Sequence, residues 1–253
     1  MRIFLKTEDE IILLRAASQL ATRALIEVGR HVVPRLALSH LRNKVVNAVM
    51  RTVPTESNSG KEALSSDTEF TFFVNGAYVE PSLEGECMLC EGDWLTVNCW
   101  VCLDGYYSFG AHTFIVGSSQ DDEPMTSTLI DMLRQVVRRA SAGHSIKEMS
   151  RTVYSLHSHD SYVLLKTFGH GVGRNRVEYP ILRMNPGVND TVLLKEGMCL
   201  VIALAFTHGR SHLIKSRLMH ESTFHNPFVP FGTTVVVRPG RPEILTSFET
   251  IVK

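Results

Sequence analysis

The order of the periodic patterns constrains this chain most: two helical stretches and then strands, followed by two helical stretches and strands again. The first helix is predicted from about Glu8 to Gly29. Thr7 and Glu10 have capping-box spacing, which lets a hydroxyl and a carboxylate satisfy free amides at the helix start. Leu13, Ala17, Leu20, Ala21, Ala24 and Leu25 recur at helical spacing, and Gly29 suits the stop. A second amphipathic stretch runs from about Leu36 to Thr52 through Leu41, Val45, Val46 and Val49. Strand-like runs cover Glu69 to Val74, Trp94 to Leu103 and Ala111 to Val116. Helices are expected again over about Met125 to Ala142 and Ser145 to His157, then strands over Tyr162 to Phe168, Met198 to Phe206 and Thr233 to Val237. Two related halves of this kind imply an α+β plan, an antiparallel sheet backed by helices on one side.

A chain of 253 residues suits one domain, 1–253. The polar stretch 54–67, rich in Ser, Thr, Glu and Gly, reads as a mobile loop. Residues 207–228 read as a variable loop segment. It carries His208, His212, His220 and His225 with Arg210, Lys215 and Arg217. A solvated surface is the simplest account of it, and a partner or anion surface the alternative.

Charge and hydropathy remove whole classes of function. Lys+Arg and Asp+Glu balance at 26 each, so general nucleic-acid binding is not expected. The start, Met1 to Lys6, lacks the apolar stretch of a signal peptide, and no window is apolar enough for a membrane span. The expected address is cytoplasmic. Cys87-x-x-Cys90 and Cys99-x-x-Cys102 have a spacing that can hold a structural zinc. Cys99 and Cys102 fall in a predicted strand, however, where residues three apart point to opposite faces. Small buried hydrophobes in a reducing compartment are the simpler reading.

Several segments carry a resemblance, in order along nearly the whole chain. They are Leu5 to Glu10, Phe73-Val74-Asn75-Gly76, Glu91-Gly92-Asp93, Asp104-Gly105-Tyr106-Tyr107 and Phe114 to Gly117. Then come Phe168-Gly169-His170-Gly171-Val172-Gly173-Arg174 with Glu178 and Pro180, Leu194 to Met198, and Glu243 to Thr246. Together they resemble the type I methionine aminopeptidases of the M24 peptidase family, whose fold is the pita-bread fold. The resemblance implies a hydrolase that removes N-terminal methionine with two divalent ions, which lower the pKa of a bridging water and polarise the scissile carbonyl.

The family holds its metal pair with two Asp, one His and two Glu. Carried over by motif, these positions are Asn98, Phe109, His170, Ala203 and Gly232. Only the histidine is kept. The substrate-handling histidines fall at Glu80 (Val79 if the register slips by one) and at Val177. The chain is therefore predicted to be a degenerate, metal-free member, a pseudoenzyme with respect to metallo-aminopeptidase chemistry, with no cofactor.

Strand alternation puts Thr96, Asn98, Trp100 and Cys102 on one face, and Tyr107, Phe109, Ala111 and Thr113 on one face of the next strand. A largely apolar cleft is expected, rimmed by Trp100 and Tyr107, that binds an unknown small molecule, peptide or protein partner. Phe109 either lines that cleft or fills it. His170 is either an acid–base group, with Glu80 and Glu178 as candidate carboxylate partners, or a packing element of the glycine-rich turn. Metal-free chemistry on a small substrate is the alternative function, and residual methionyl aminopeptidase activity comes last. Metal-less relatives of the family serve as histone-chaperone domains and as ribosome- or RNA-associated factors.

Overall fold

Thr7 starts α1 (Glu8–His31) as its spacing predicts. Its hydroxyl accepts the Glu10 amide at 3.3 Å, and the Glu10 carboxylate accepts the Thr7 amide at 3.0 Å. Acidic residues fill the first turn, and Arg30 and His31 sit in the last, each favourable to the helix dipole. Gly29 does not end the helix. A Cβ there would lie 3.1 Å from Phe114 Cε1, so the glycine lets α1 approach the sheet instead. The computed structural model describes residues 2–53, 66–117, 124–157, 167–185, 192–207, 228–247 and 251. The predicted loop 54–67 therefore lies outside the described residues except for Ser66 and Asp67, which form a turn. The segment 207–228 does so too, except for its first and last residues.

The helix α2 (Leu38–Thr52) packs beside α1, and a first group of strands follows: β1 (Glu69–Val74), β2 (Ala77–Tyr78), β3 (Trp94–Leu103) and β4 (Tyr106–Ile115). The second half repeats the order with α3 (Pro124–Arg138), α4 (Ile146–His157), β5 (Thr167–Gly171), β6 (Glu178–Arg183), β7 (Cys199–Thr207), β8 (Phe228–Val236) and β9 (Glu243–Ile244). The strands pair antiparallel in the order β2-β1-β3-β4-β8-β7-β5-β6, with β9 on β8. The halves thus join through β4 and β8.

Each half buries its helices against one face of the sheet. Leu20, Leu25, Leu41 and Val45 pack on Leu95, Val97, Cys99 and Val101 of β3. Leu129, Leu133 and Met149 pack on Leu200, Ile202 and Leu204 of β7 and on Phe231 and Val235 of β8. Alternate residues of β3, β4, β7 and β8, among them Trp100, Phe109, Ala111, Val201 and Val236, enter a third apolar cluster.

Several strands differ from expectation: the predicted strand 162–168 lies outside the described residues except for its last two, which open β5, and the two-residue β2 and β9 were not predicted. The strand β4 begins at Tyr106, not Ala111, because polar and glycine residues interrupt its apolar run. Ser108 joins a buried hydroxyl cluster, 2.6 Å from Ser18 Oγ of α1 and 3.2 Å from Thr234 Oγ1. Gly110 lies against Leu25, where a Cβ would come within 3.0 Å of Cδ1. The strand β6 was not predicted at all: Pro180 in its middle masks it, which an outermost strand tolerates. No helix among the described residues is long and apolar enough to cross a membrane.

Candidate functional site

The non-helical face of the sheet carries one continuous row. Asn98 of β3 is paired with Ala111 of β4, Ala111 with Gly232 of β8, and Gly232 with Ala203 of β7. Direct cross-strand partners share a face, so the antiparallel ladder alone brings these four positions together from both halves. Phe109 stands two residues before Ala111 on the same face and pairs with Trp100. Across the cleft, His170 of β5 pairs with Val201 of β7, two residues from Ala203.

Phe109 fills this row. A Cβ placed on Gly232 would fall 2.7 Å from Phe109 Cε1, 3.1 Å from Ala203 Cβ and 3.4 Å from Ala111 Cβ. The ring therefore lies directly over the glycine and is only 2% exposed. It packs in a cluster with Ile11, Leu14, Val172 and Val201. Of the two expectations for Phe109, lining an open cleft or filling it, the structure shows the second.

Two aromatic rings, Trp100 and His170, continue from this floor. The Trp100 ring lies 4.8 Å from Phe109, centroid to centroid, at 45°. The His170 imidazole is nearly parallel to Trp100, 6.1 Å away at 10°. His170 is 3% exposed. Its Nδ1 is 2.8 Å from the Gly171 carbonyl, and because a carbonyl only accepts, Nδ1 carries the proton and Nε2 the lone pair. Burial pushes the imidazole below its ordinary range, partly offset by that hydrogen bond. Among the described residues no carboxylate hydrogen-bonds this ring.

Tyr107 and Arg176 close the top. The Tyr107 hydroxyl donates to Asp67 Oδ2 at 2.6 Å, and this contact raises the phenol well above its usual range. The Arg176 guanidinium sits 5.7 Å from the centroids of both the Trp100 and Tyr107 rings, within cation–π range. Its Nη1 donates to Glu69 Oε2 at 2.7 Å and its Nη2 to the Asp67 carbonyl.

The other predicted site residues are placed differently. Glu80 is exposed, just before a short 3-10 turn at Pro81–Leu83. Val79 instead packs half-buried against the first helix-side core. Val177 is 40% exposed at the surface. Glu178 is buried, but Lys6 Nζ and the Asn175 amide take up its carboxylate. Its role is to hold the turn after β5 onto the N-terminal segment, so neither Glu80 nor Glu178 serves as a hydrogen-bonding partner of His170.

The cysteines divide as strand alternation requires. Cys99 is buried in the helix-packed core, Cys102 belongs to the opposite face, Cys87 is half-buried and Cys90 exposed. All five thiols are free. Burial pushes the Cys199 thiol up to about 12 and that of Cys99 higher still, so neither is a ready thiolate. Among the described residues no group of three or more His, Cys, Asp or Glu side chains is arranged to hold a metal ion.

The family model for metallopeptidase family M24 matches residues 12–239, nearly the whole sheet and the four helices apart from the first turn of α1. The chain belongs to metallopeptidase family M24. Relatives of this M24 chain include the methionine aminopeptidase of Borreliella burgdorferi, 25% identical over 255 residues and covering 97% of this chain and 98% of that one. That of Helicobacter pylori is 29% identical over 228 residues, covering 86% and 88%. Among solved structures, the Thermotoga maritima methionine aminopeptidase superimposes with a TM-score of 0.81 at 20% identity, covering 97% of this chain and all of its own. The prolidase of Pyrococcus furiosus gives 0.72 at 18% identity, with 97% of this chain matched to 66% of that one. The M24 chain is thus methionine aminopeptidase-like and has the family's pita-bread α+β fold.

Arg176, Asp67 and Glu69 were not singled out from the sequence. Arg176 and Glu69 lie 107 positions apart, and no local pattern connects them. The one available signal was the arginine pair, Arg174 and Arg176, directly after the glycine-rich run.

Proposed function

We propose that this M24 chain is a pseudoenzyme, not a working metallo-aminopeptidase, and that it binds a small ligand, peptide or protein partner through its remodelled cleft. The observation that carries the reading is the Phe109 ring lying over Gly232, where a Cβ would fall 2.7 Å from Cε1. A metal pair needs several anionic oxygens to offset the repulsion between its ions, which would otherwise destabilise the site strongly. The positions carried over from the family offer one imidazole, His170, and one neutral amide, Asn98. Phe109, Ala203 and Gly232 have no side-chain donor. A glutamate at 232 would also have to share its space with the packed ring. These residues do not fit a dinuclear metal centre.

What the arrangement favours instead is apolar recognition. Above the buried Phe109, the half-buried Trp100 and Tyr107 present aromatic surface, and Arg176 with Asp67 and Glu69 supplies oriented polar groups at the rim. A few placed polar groups beside apolar surface suit a ligand or peptide site. The proposed address is the cytoplasm, which the free cysteines support.

The fixed tautomer of His170 favours one other reading, a metal-free acid–base role for Nε2 on a small substrate. The side chains of Glu80 and Glu178, one exposed and one ion-paired with Lys6, weigh against it.

Incubating the protein with a Met-Ala-Ser peptide and added cobalt or manganese tests the main reading. The expected result is no methionine release above a no-protein control. Release that a chelator abolishes would overturn it.

A further inference from the structure

We propose that the Arg176 side chain is a gate, held closed over Trp100 and Tyr107 by its ion pair with Glu69, and that it must swing aside for a partner to enter the cleft. This rests on the reading of the cleft as a binding site. The turn 172–177 leaves β5 in the second half and lands on the first half. The Tyr107 amide donates to the Gly173 carbonyl at 2.8 Å, and Arg174 sits 4.8 Å from the Tyr106 ring centroid. Its backbone is fixed at both ends. At one end, Gly173 is packed so closely that a Cβ would lie 2.3 Å from Lys6 Cε. At the other end, Glu178 is ion-paired with Lys6, the two side chains each 5% exposed. The part that can move is the Arg176 side chain, held by Glu69 and by a hydrogen bond to the Asp67 carbonyl.

Its contacts suit movement. The side chains of Arg176 and Glu69 are 31% and 37% exposed, so water and salt reach the pair and screen it. Phe109 and His170 below are buried and have no such release. The guanidinium covers the outer faces of the cleft aromatics while its own charge stays in partial contact with solvent. Swinging it out uncovers Trp100 and Tyr107 without unpacking the sheet.

The chain has two tryptophans, Trp94 and Trp100, so Trp94→Phe leaves Trp100 as the only reporter. Acrylamide quenching of Trp100 is then measured in that background, alone and with Arg176→Gln, Glu69→Gln or both. At low salt the parent is expected to quench weakly. Either single substitution, or about 1 M NaCl on the parent, should raise the quenching constant about twofold or more, and the double variant no further than the single ones. Circular dichroism confirms that the variants are folded. Should Arg176→Gln fail to fold, Glu69→Gln and the salt series decide alone. Unchanged quenching in Glu69→Gln and at high salt would overturn the gate. Release of methionine from Met-Ala-Ser by the same proteins would instead overturn the binding-cleft reading and leave the quenching result standing.

Discussion

Phe109→Ala is expected to destabilise the protein by about 3–5 kcal/mol, the range for removing a buried phenylalanine. The ring is 2% exposed and its edge lies against the Cα of Gly232, with Ala203 and Ala111 as the other walls. These neighbours are too small to collapse into the space, so the substitution leaves a cavity between the two halves of the sheet. In a chain of this size each kcal/mol corresponds to about 2–4 °C in the unfolding midpoint. Urea denaturation measures the loss directly. If the ring merely lined an open cleft, the loss would be within about 0.5 kcal/mol, as for surface positions.

Gly232→Glu should be worse in the native background and less harmful once Phe109 is reduced. Its Cβ would begin 2.7 Å from the ring, which forces overpacking, commonly worth about 1–3 kcal/mol. The carboxylate would also enter the apolar cluster that holds Phe109, Ala111, Val201 and Ala203. Combining it with Phe109→Ala removes the clash, so the two substitutions should couple favourably by about 0.5–3 kcal/mol in a double-mutant cycle. Strict additivity would mean that ring and glycine are not packed as a complementary pair.

The mutual dependence of positions 109 and 232 explains what could and could not be read from the sequence. The helix α1 was legible because its capping box and apolar spacing are local, and the structure reproduces both hydrogen bonds. The opposed faces of Cys99 and Cys102 followed from strand alternation alone. The family fold was legible because short glycine-containing turns keep their order from Asn75 to Thr246. The row Asn98–Ala111–Gly232–Ala203 needed more, since it depends on how β4 of one half pairs with β8 of the other. Whether Phe109 lined or filled the cleft was open for the same reason: the small residues that accommodate it lie 94 and 123 positions further on (203 − 109 and 232 − 109). Glu178, named as a candidate partner of His170, instead has its carboxylate held by Lys6, 172 positions away, a pairing no local pattern announces. Arg176 went unnoticed because an arginine in a turn is ordinary until its partners, Glu69 and the Trp100 and Tyr107 rings, are in place.

The gate and the packed floor together describe a cleft altered at two levels. Below, Phe109, Ala203 and Gly232 pack together at positions where the family resemblance places metal ligands. Above, an ion pair between the halves covers the aromatic rim. The first is a matter of core packing and the second of surface electrostatics, so salt should move the second and leave the first unchanged.

Metal content tests the central claim most directly. The purified protein is soaked with cobalt or zinc, desalted and measured by elemental mass spectrometry. Background levels of metal per chain are the result predicted by one imidazole, one amide and a packed phenylalanine. About two ions per chain would contradict the account, because it would mean that a dinuclear centre assembles despite the ring over Gly232.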